Sequence, residues 1–385
     1  MSKKDKLKIA QHWGQTPPDV SKTFYGFPPI RDYLFTCISG RVEKTERNWC
    51  ERWTIETYLS DDIPLEECLS LCCGFGEIER MLADLGVFLH CTAIDLSPAA
   101  VEIARQKAKE AGHNHIDYHV VDLNNIRLEP QKYDLVYANG ALHHLSRLEH
   151  VIGQIYTALK PGGILVSNEY IGPKYQRLSW RQREIINSVI HLIPIKYRAI
   201  TEETYVPVSF RYPIWKRGIF ELYRLLTLQD SGIDVSALKP DANWPNHKIW
   251  LLNLFKLIRK IMPVRKRKPF RYGKVWDEMS ELTKATDPSE CVRSDEIIPI
   301  MQNHFKDIDI KYYNGSVLFY ALDRKFYETY DHDQKEDRAL LDLLIKIEKT
   351  MIDIGELESD HAHIIARKEL QTKKPGPEGQ VFDVK

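Results

Sequence analysis

The chain has 385 residues, 43% hydrophobic and 28% charged, and its 54 basic and 54 acidic residues leave a formal net charge of zero. That length exceeds one ordinary core, so one large domain with insertions or two domains is expected. Zero net charge gives no global field for nucleic acid, no apolar run reaches the roughly 18 residues of a membrane span, and the start, MSKKDKLKIAQHW, lacks a secretory apolar core.

Residues 1–58, with Trp13, Phe24, Tyr25 and Trp49, are expected to form an N-terminal helical cap. Residues 68–73 read as a short buried strand. A helix follows at once with Ile78, Met81, Leu82 and Leu85 on one face, ended by Gly86. VFLHCTAID is a second strand ending at Asp95. Ser97 and Pro98 then supply an N-cap and first helical position for a helix running to Gly112. IDYHVVD is a third strand ending at Asp122, and YDLVYAN a fourth ending at Asn139. Ser146 and Glu149 have capping-box spacing and open a helix with Leu148, Ile152, Ile155 and Leu159 on one side. Lys160-Pro161-Gly162-Gly163 turns into a fifth strand, ILVSNEY. Alternation of this kind predicts an α/β fold, a parallel sheet with helices on both faces and ligands at the carboxyl ends of the strands. Those ends carry Gly74, Gly76, Asp95, Asp122, Asn139, His143 and Glu169.

The stretch LSLCCGFGEIER narrows the ligand. Gly74 and Gly76 permit close backbone approach and turns closed to other residues. A dinucleotide loop wants a small residue at position 79; this chain has Glu79 there and Glu77 before it, a poor setting for pyrophosphate. Asp95, nineteen residues after Gly76, stands where a carboxylate accepts from two ribose hydroxyls, and Asp122 where one accepts from an exocyclic amine. A phosphate-free adenosine with a cationic tail matches these acids, and S-adenosylmethionine is that molecule.

On these residues the chain resembles class I, Rossmann-like, S-adenosylmethionine-dependent methyltransferases of the small-molecule subgroup, over about residues 60–175. LSLCCGFGEIER is similar to the family's glycine loop, AIDLSPAAVEIAR to its ribose motif and VVDLNNI to its adenine motif. YDLVYANGALHHL is similar to its fourth-strand motif, and ALKPGGILV to its lead into strand five. Two positions depart: Ser70 where the family commonly has an acid, and Cys72 where it commonly has glycine. The resemblance assigns Cys72, Gly74, Gly76, Asp95, Leu96, Asp122, Leu123 and Asn139 to the cofactor. It implies a doubly wound, mostly parallel seven-stranded sheet whose last strand is antiparallel. The remaining elements are placed as a helix at DPSECVRSDEIIPIMQNHF and a strand at KDIDIKYYNG. Helical segments follow at GSVLFYALDRKFYETY and KEDRALLDLLIKIEKTMIDIG, then a final strand at HAHIIARK. The expected organisation is a cap (1–58), a cofactor-binding core (59–171) and a lid or substrate insertion (172–286). A completion of the core with a helical insert (287–370) and a loose tail (371–385) close the chain. Within the lid, residues 249–274, IWLLNLFKLIRKIMPVRKRKPFRYGK, are apolar and then basic. They read as an interfacial helix touching a membrane surface, a phosphate-binding wall, or a packed helix with a solvated loop.

A methyl group on a sulfonium needs an aligned nucleophile and exclusion of water, and an alcohol acceptor also needs a base. His143 is the first candidate for that base, with Glu169 competing as base or hydroxyl ligand. His144 and Tyr170 are placed against the substrate. The alternatives are a capping or packing role for each histidine and a salt bridge from Glu169 to a lid arginine. The fourth strand ends in Ala138-Asn139-Gly140-Ala141, which lacks the Asn/Asp-Pro-Pro-aromatic signature of nucleobase amino-methylating enzymes. No acid set of the cation-dependent catechol enzymes is found, so no metal is expected. The leading expectation is O-methylation of a small molecule such as a sugar, nucleotide sugar or glycolipid. Other metabolite methylation and a non-catalytic cofactor-binding scaffold are the alternatives, and nucleic-acid binding through the basic run is disfavoured. The seven cysteines suggest neither zinc fingers nor a disulfide framework, so a cytoplasmic setting, membrane-peripheral if 249–274 is interfacial, is expected. Oligomeric state is left open.

Overall fold

The computed structural model describes residues 3–14, 20–42, 44, 49–198, 284–285 and 287–370. By its contacts the chain divides into two units, Met1–Ala199 with Gly273–Lys385, and Ile200–Tyr272. The second unit lies outside the described residues, as do the whole apolar–basic stretch 249–274 and the tail 371–385.

The first unit is organised by seven strands: β1 (Leu65–Leu71), β2 (Phe88–Asp95), β3 (Ile116–Val120), β4 (Tyr133–Asn139), β5 (Leu159–Tyr170), β6 (Asp307–Tyr312) and β7 (His361–Arg367). Their order is β3-β2-β1-β4-β5-β7-β6. The first five run parallel, and β7 is antiparallel to both β5 and β6. The expected α/β sheet, mostly parallel with its last strand reversed, is the fold observed. The chain winds outward from β1 to β3, then returns to lay β4 on the other side of β1. The crevice beyond the carboxyl ends of β1 and β4 is therefore the switch point where such sheets bind ligands.

The helices, numbered in chain order, are α1 (Lys3–Trp13), α2 (Pro28–Ser39), α3 (Trp49–Thr54), α4 (Glu77–Asp84), α5 (Pro98–Glu110), α6 (Leu148–Ala158), α7 (Trp180–Leu192), α8 (Ile297–His304), α9 (Leu318–Ala321), α10 (Arg324–Thr329) and α11 (Lys335–Asp353). The Ser97 hydroxyl caps α5 by accepting from Ala100 N, with Pro98 in the first turn, as the sequence predicts. The α6 start differs. Its N-cap is Arg147 with no side-chain cap. Ser146 instead donates to Asn124 Oδ1, and Glu149 pairs with Arg293, so both capping-box residues are taken by tertiary partners. Strand β5 also starts early. Leu159 pairs with Tyr133, and Ile164 with Leu135, so Lys160–Gly163 form a bulge inside the strand. A Cβ on Gly163 would meet three carbonyl oxygens at 2.9–3.2 Å, which explains the glycine.

The helix expected over 287–305 forms only in its second half, as α8 after a 3-10 turn at Ser294–Glu296. Residues 288–290 form a turn instead. The segment 315–330 divides into α9 and α10, separated by Asp323, which caps α10 through its carboxylate.

Three apolar clusters hold the unit together. Two lie on the faces of the sheet, one around Leu82, Ala93, Val101, Ala104 and Tyr137, the other around Leu69, Val136, Ile152, Ile155 and Met301. The third joins Ile30, Leu34 and Phe35 of α2 to Ile186 and Val189 of α7, Phe326 of α10 and Leu341 and Leu344 of α11. The N-terminal segment thus shares a core with helices inserted between β6 and β7. Burying each such side chain contributes about 1.5–3 kcal/mol. Among the described residues no helix is long and apolar enough to cross a membrane.

Candidate active site

The loop after β1 is built on left-handed backbone. Cys72, Gly74 and Gly76 have φ of 52°, 51° and 70°. A Cβ at Gly74 would meet nothing within 4 Å, so this glycine opens onto free space. A Cβ at Gly76 would strike Tyr118 Oη at 2.5 Å and Ala104 Cβ at 2.8 Å, so Gly76 lets α4 lie close to the sheet. Cys72 adopts the same conformation with a side chain, which costs about 1–3 kcal/mol. The positive φ is the physical reason that a glycine suits this position.

Asp95 ends β2 and anchors the loop. Its Oδ2 accepts from Gly74 N at 2.9 Å and its Oδ1 from Ser97 N at 2.8 Å. Each oxygen keeps a second lone pair for a hydroxyl. Burial raises its pKa, partly offset by the backbone N–H groups of Ser97 and Gly74. Asp122 follows β3 and accepts from Asn124 N at 3.1 Å and Asn125 Nδ2 at 2.8 Å. Lys6 of α1 pairs with its Oδ2 at 2.5 Å. Burial works to raise the Asp122 pKa, but the hydrogen bonds from Lys6 and Asn124 win and lower it. A cavity of about 820 Å³ joins the loop to Asp95, Leu96, Asp122, Leu123 and Asn139, with Ile9, Ala10, His12 and Trp13 of α1 on its wall. Its volume is that of a small-molecule site. Seven of the eight positions assigned to the cofactor line it, and Gly76 sits in the same loop without lining it. The open glycine, the two strand-end acids and the space between them fit an adenosine; its amine would have to share Asp122 with Lys6.

The departure at Ser70 has a counterpart. The Ser70 hydroxyl donates to Glu79 Oε1 from beneath α4. Glu79 is 1% exposed, and its Oε2 has no partner among the described residues. Burial lifts its carboxyl from 4.5 to about 7, with the Ser70 hydrogen bond opposing. A raised acid binds its proton longer folded than unfolded, so stability is full below the unfolded value. It falls as pH rises between about 4.5 and 7, by about 3 kcal/mol from this group alone. Glu79→Gln is expected to flatten that portion of the profile, read as the difference in urea midpoints between variant and parent across the window. Equal profiles would remove Glu79 as the cause.

A second cavity, of about 1090 Å³, lies beside the first, and Trp13, Asn139, Gly140 and His144 line both. His143, His144, Glu169 and Tyr170 all line this second cavity. Glu169, 1% exposed, faces inward. It accepts from Ala141 N at 2.9 Å, Leu142 N at 2.8 Å, Ser167 Oγ at 3.2 Å and His143 Nδ1 at 2.7 Å. Those donors tie the end of β5 to the 141–144 turn and hold the His143 ring. Burial pulls the His143 pKa down, but the Glu169 hydrogen bond and charge outweigh it and raise it. His144 is lowered to about 4 by burial and by His143, whose ring lies 4.2 Å away. The Tyr170 hydroxyl pairs with Tyr320 Oη at 2.9 Å.

Several residues here were invisible to sequence reasoning. Asp287 accepts from Trp13 Nε1 at 2.8 Å and stands 3.7 Å from His144 Nδ1. Glu290 lies 3.9 Å from His143 Nε2 and 3.8 Å from His144 Nε2. Among the described residues two groups bring metal-ligand atoms within 4.8 Å of one another: His143 with Glu290 and Cys291, and His144 with Asp287 and Glu290. The only sequence signal was the expected helix at 287–305, which pointed away from a site role.

Residues 68–163 match a family model described as a methyltransferase domain. Demethylmenaquinone methyltransferase of Leptospira interrogans serogroup Icterohaemorrhagiae serovar copenhageni is 29% identical over 114 residues, which are 29% of this chain and 46% of that protein. Phosphoethanolamine N-methyltransferase 2 of Caenorhabditis elegans is 31% identical over 108 residues, 28% of this chain and 24% of that protein. 2-phytyl-1,4-naphtoquinone methyltransferase of Trichormus variabilis is 22% identical over 206 residues, 52% of this chain and 86% of that protein. The chain thus spans less than half the length of the first two. Residues 68–163 form a class I S-adenosylmethionine-dependent methyltransferase domain.

Proposed function

We propose that the protein transfers a methyl group from S-adenosylmethionine to a hydroxyl of a small molecule, on a sugar, nucleotide sugar or glycolipid. The observation that carries this reading is the meeting of two cavities at Trp13, Asn139, Gly140 and His144. One has the loop and acids for the cofactor, and the other has room for an acceptor. Tyr25, Trp49, Tyr313 and Phe319 on the acceptor side offer ring faces to the C–H faces of a sugar. Glu51 and Glu290 offer acceptors to its hydroxyls. A non-catalytic scaffold would have no use for this second space, and another metabolite acceptor remains the second reading.

Bound S-adenosylmethionine supplies a methyl group whose bond to sulfur breaks with the electron pair left on sulfur. The chain's own residues do the rest. Asp95 and Asp122 hold the nucleoside, Trp13 and α1 keep water from the junction, and His143 meets the acceptor oxygen with Glu169 fixing its ring. In this reading residues 1–58 are the cap, 59–171 the core, 172–286 the substrate lid and 287–370 the completion of the core.

The test is methyl tracing. Purified protein is given S-adenosylmethionine labelled in the methyl group together with fractionated cell extract. Label in lipid-linked or nucleotide-linked sugar is the expected result. Label in another small metabolite would replace the sugar assignment. Cofactor binding with no label in any fraction would favour the scaffold.

A further inference from the structure

Beside the junction, three carboxylates, from Glu169, Asp287 and Glu290, converge on two histidines. Carboxylates gathered in a poorly hydrated place call for positive charge. We propose that His143, Glu290 and Cys291 bind a divalent cation of the zinc class at the wall of the acceptor cavity.

The geometry supports one ion. One ligand atom from each residue lies within 4.8 Å of the others. Glu290 Oε1 is 3.0 Å from Cys291 Sγ and 3.9 Å from His143 Nε2. Around a tetrahedral ion with bonds of about 2.0–2.3 Å, ligand atoms stand roughly 3.3–3.7 Å apart. Both Glu290 distances lie within a few tenths of an ångström of that spacing. The donor set mixes nitrogen, oxygen and sulfur, which suits zinc better than magnesium or calcium.

The surroundings agree. Glu169 Oε2 stands 2.7 Å from His143 Nδ1, placed to accept its N–H when Nε2 gives its lone pair to an ion. A carboxylate behind a histidine in this way is the usual support of a metal-bound imidazole. Cys291 is fully buried and held at φ 51°, a conformation that costs a non-glycine residue energy. Its carbonyl accepts from Tyr175 N at 2.7 Å, and Val292 N donates to His143 O at 3.0 Å. These contacts fix the Cys291 backbone beside His143. Three protein ligands leave a fourth position open, as in catalytic zinc sites.

On binding, the Cys291 thiol releases its proton to solvent. The role of the ion rests on the methyl-transfer reading: an acceptor hydroxyl at the fourth position would lose its proton more readily and be held for attack. His143 would then reach the acceptor oxygen through the ion, its Nε2 lone pair engaged as a ligand, in place of the direct contact described above.

The test uses the full chain stripped with a chelator. Zinc is returned in competition with a chromophoric chelator, and cobalt is added to a parallel sample. The expected results are one equivalent bound and a near-ultraviolet thiolate-to-cobalt band. Cys291→Ser and Glu290→Gln should each weaken zinc binding at least tenfold, and Glu169→Gln roughly 10–100-fold. The cobalt band reads Cys291 in the parent protein, so an unfolded variant does not spoil the experiment. No stoichiometric zinc, no cobalt band, or affinity unmoved by Cys291→Ser in a folded variant would overturn the site. S-adenosylmethionine binding is titrated in the same samples. If it persists while zinc fails, the cation falls and the methyl-transfer reading stands; if it fails as well, that reading falls with it.

Discussion

Asp95→Ala is expected to weaken S-adenosylmethionine binding at least tenfold, measured by isothermal titration. Two losses add. The ribose hydroxyls lose a charged acceptor, and hydrogen bonds to charged groups contribute about 1.5–3 kcal/mol. The loop also loses its anchor, because the same carboxylate holds Gly74 N and Ser97 N. Asp95→Asn separates the two, since an amide oxygen can retain one backbone contact while the charge is gone. An affinity unchanged in Asp95→Ala would remove the ribose assignment and, with it, the orientation of the cofactor in the cavity.

His143→Ala should lower turnover by roughly 10²–10⁴, the range for loss of a group that manages a reacting proton or oxygen. Cofactor affinity should stay within a few-fold, because His143 lines the acceptor cavity and not the cofactor cavity. Glu169→Gln should fall between variant and parent. Its amide oxygen can still accept from Ala141 and Leu142, while its hold on Nδ1 weakens. Equal turnover in His143→Ala and parent, once an acceptor is in hand, would move the chemistry away from this histidine.

The strands and the cofactor half were readable because their signals are local. A glycine turn, a strand-end acid nineteen residues on and a Ser-Pro helix start each occupy a few adjacent positions. The physical demand at each, such as the left-handed backbone at Gly74 and Gly76, is met by the residue itself. The acceptor side was only half readable. His143 and Glu169 stand near strand ends, so topology alone placed them at the cleft. Their pairing, which sets Glu169 against the His143 ring, depends on β5 and the 141–144 turn lying side by side. Glu290, Cys291 and Asp287 reach the site only because the expected helix there does not form. Trp13 does so because α1 folds back onto α5, where Ser97 Oγ donates to Ala10 O. The failed capping box at Ser146 has the same origin: a tertiary partner outbid a local one.

The helix α1 touches the cofactor cavity through Ile9, Ala10 and Trp13, holds Asp122 through Lys6 and reaches Asp287 through Trp13. Under the proposed cofactor assignment, a nucleoside reaching Asp122 would exchange its amine for the Lys6 ammonium already in place, and the spent one would surrender the carboxylate back. On that reading each round of binding and release includes two exchanges at a single ion pair. On that reading helix α1 helps to time the release of the nucleoside, and Lys6→Ala would be felt first in that rate.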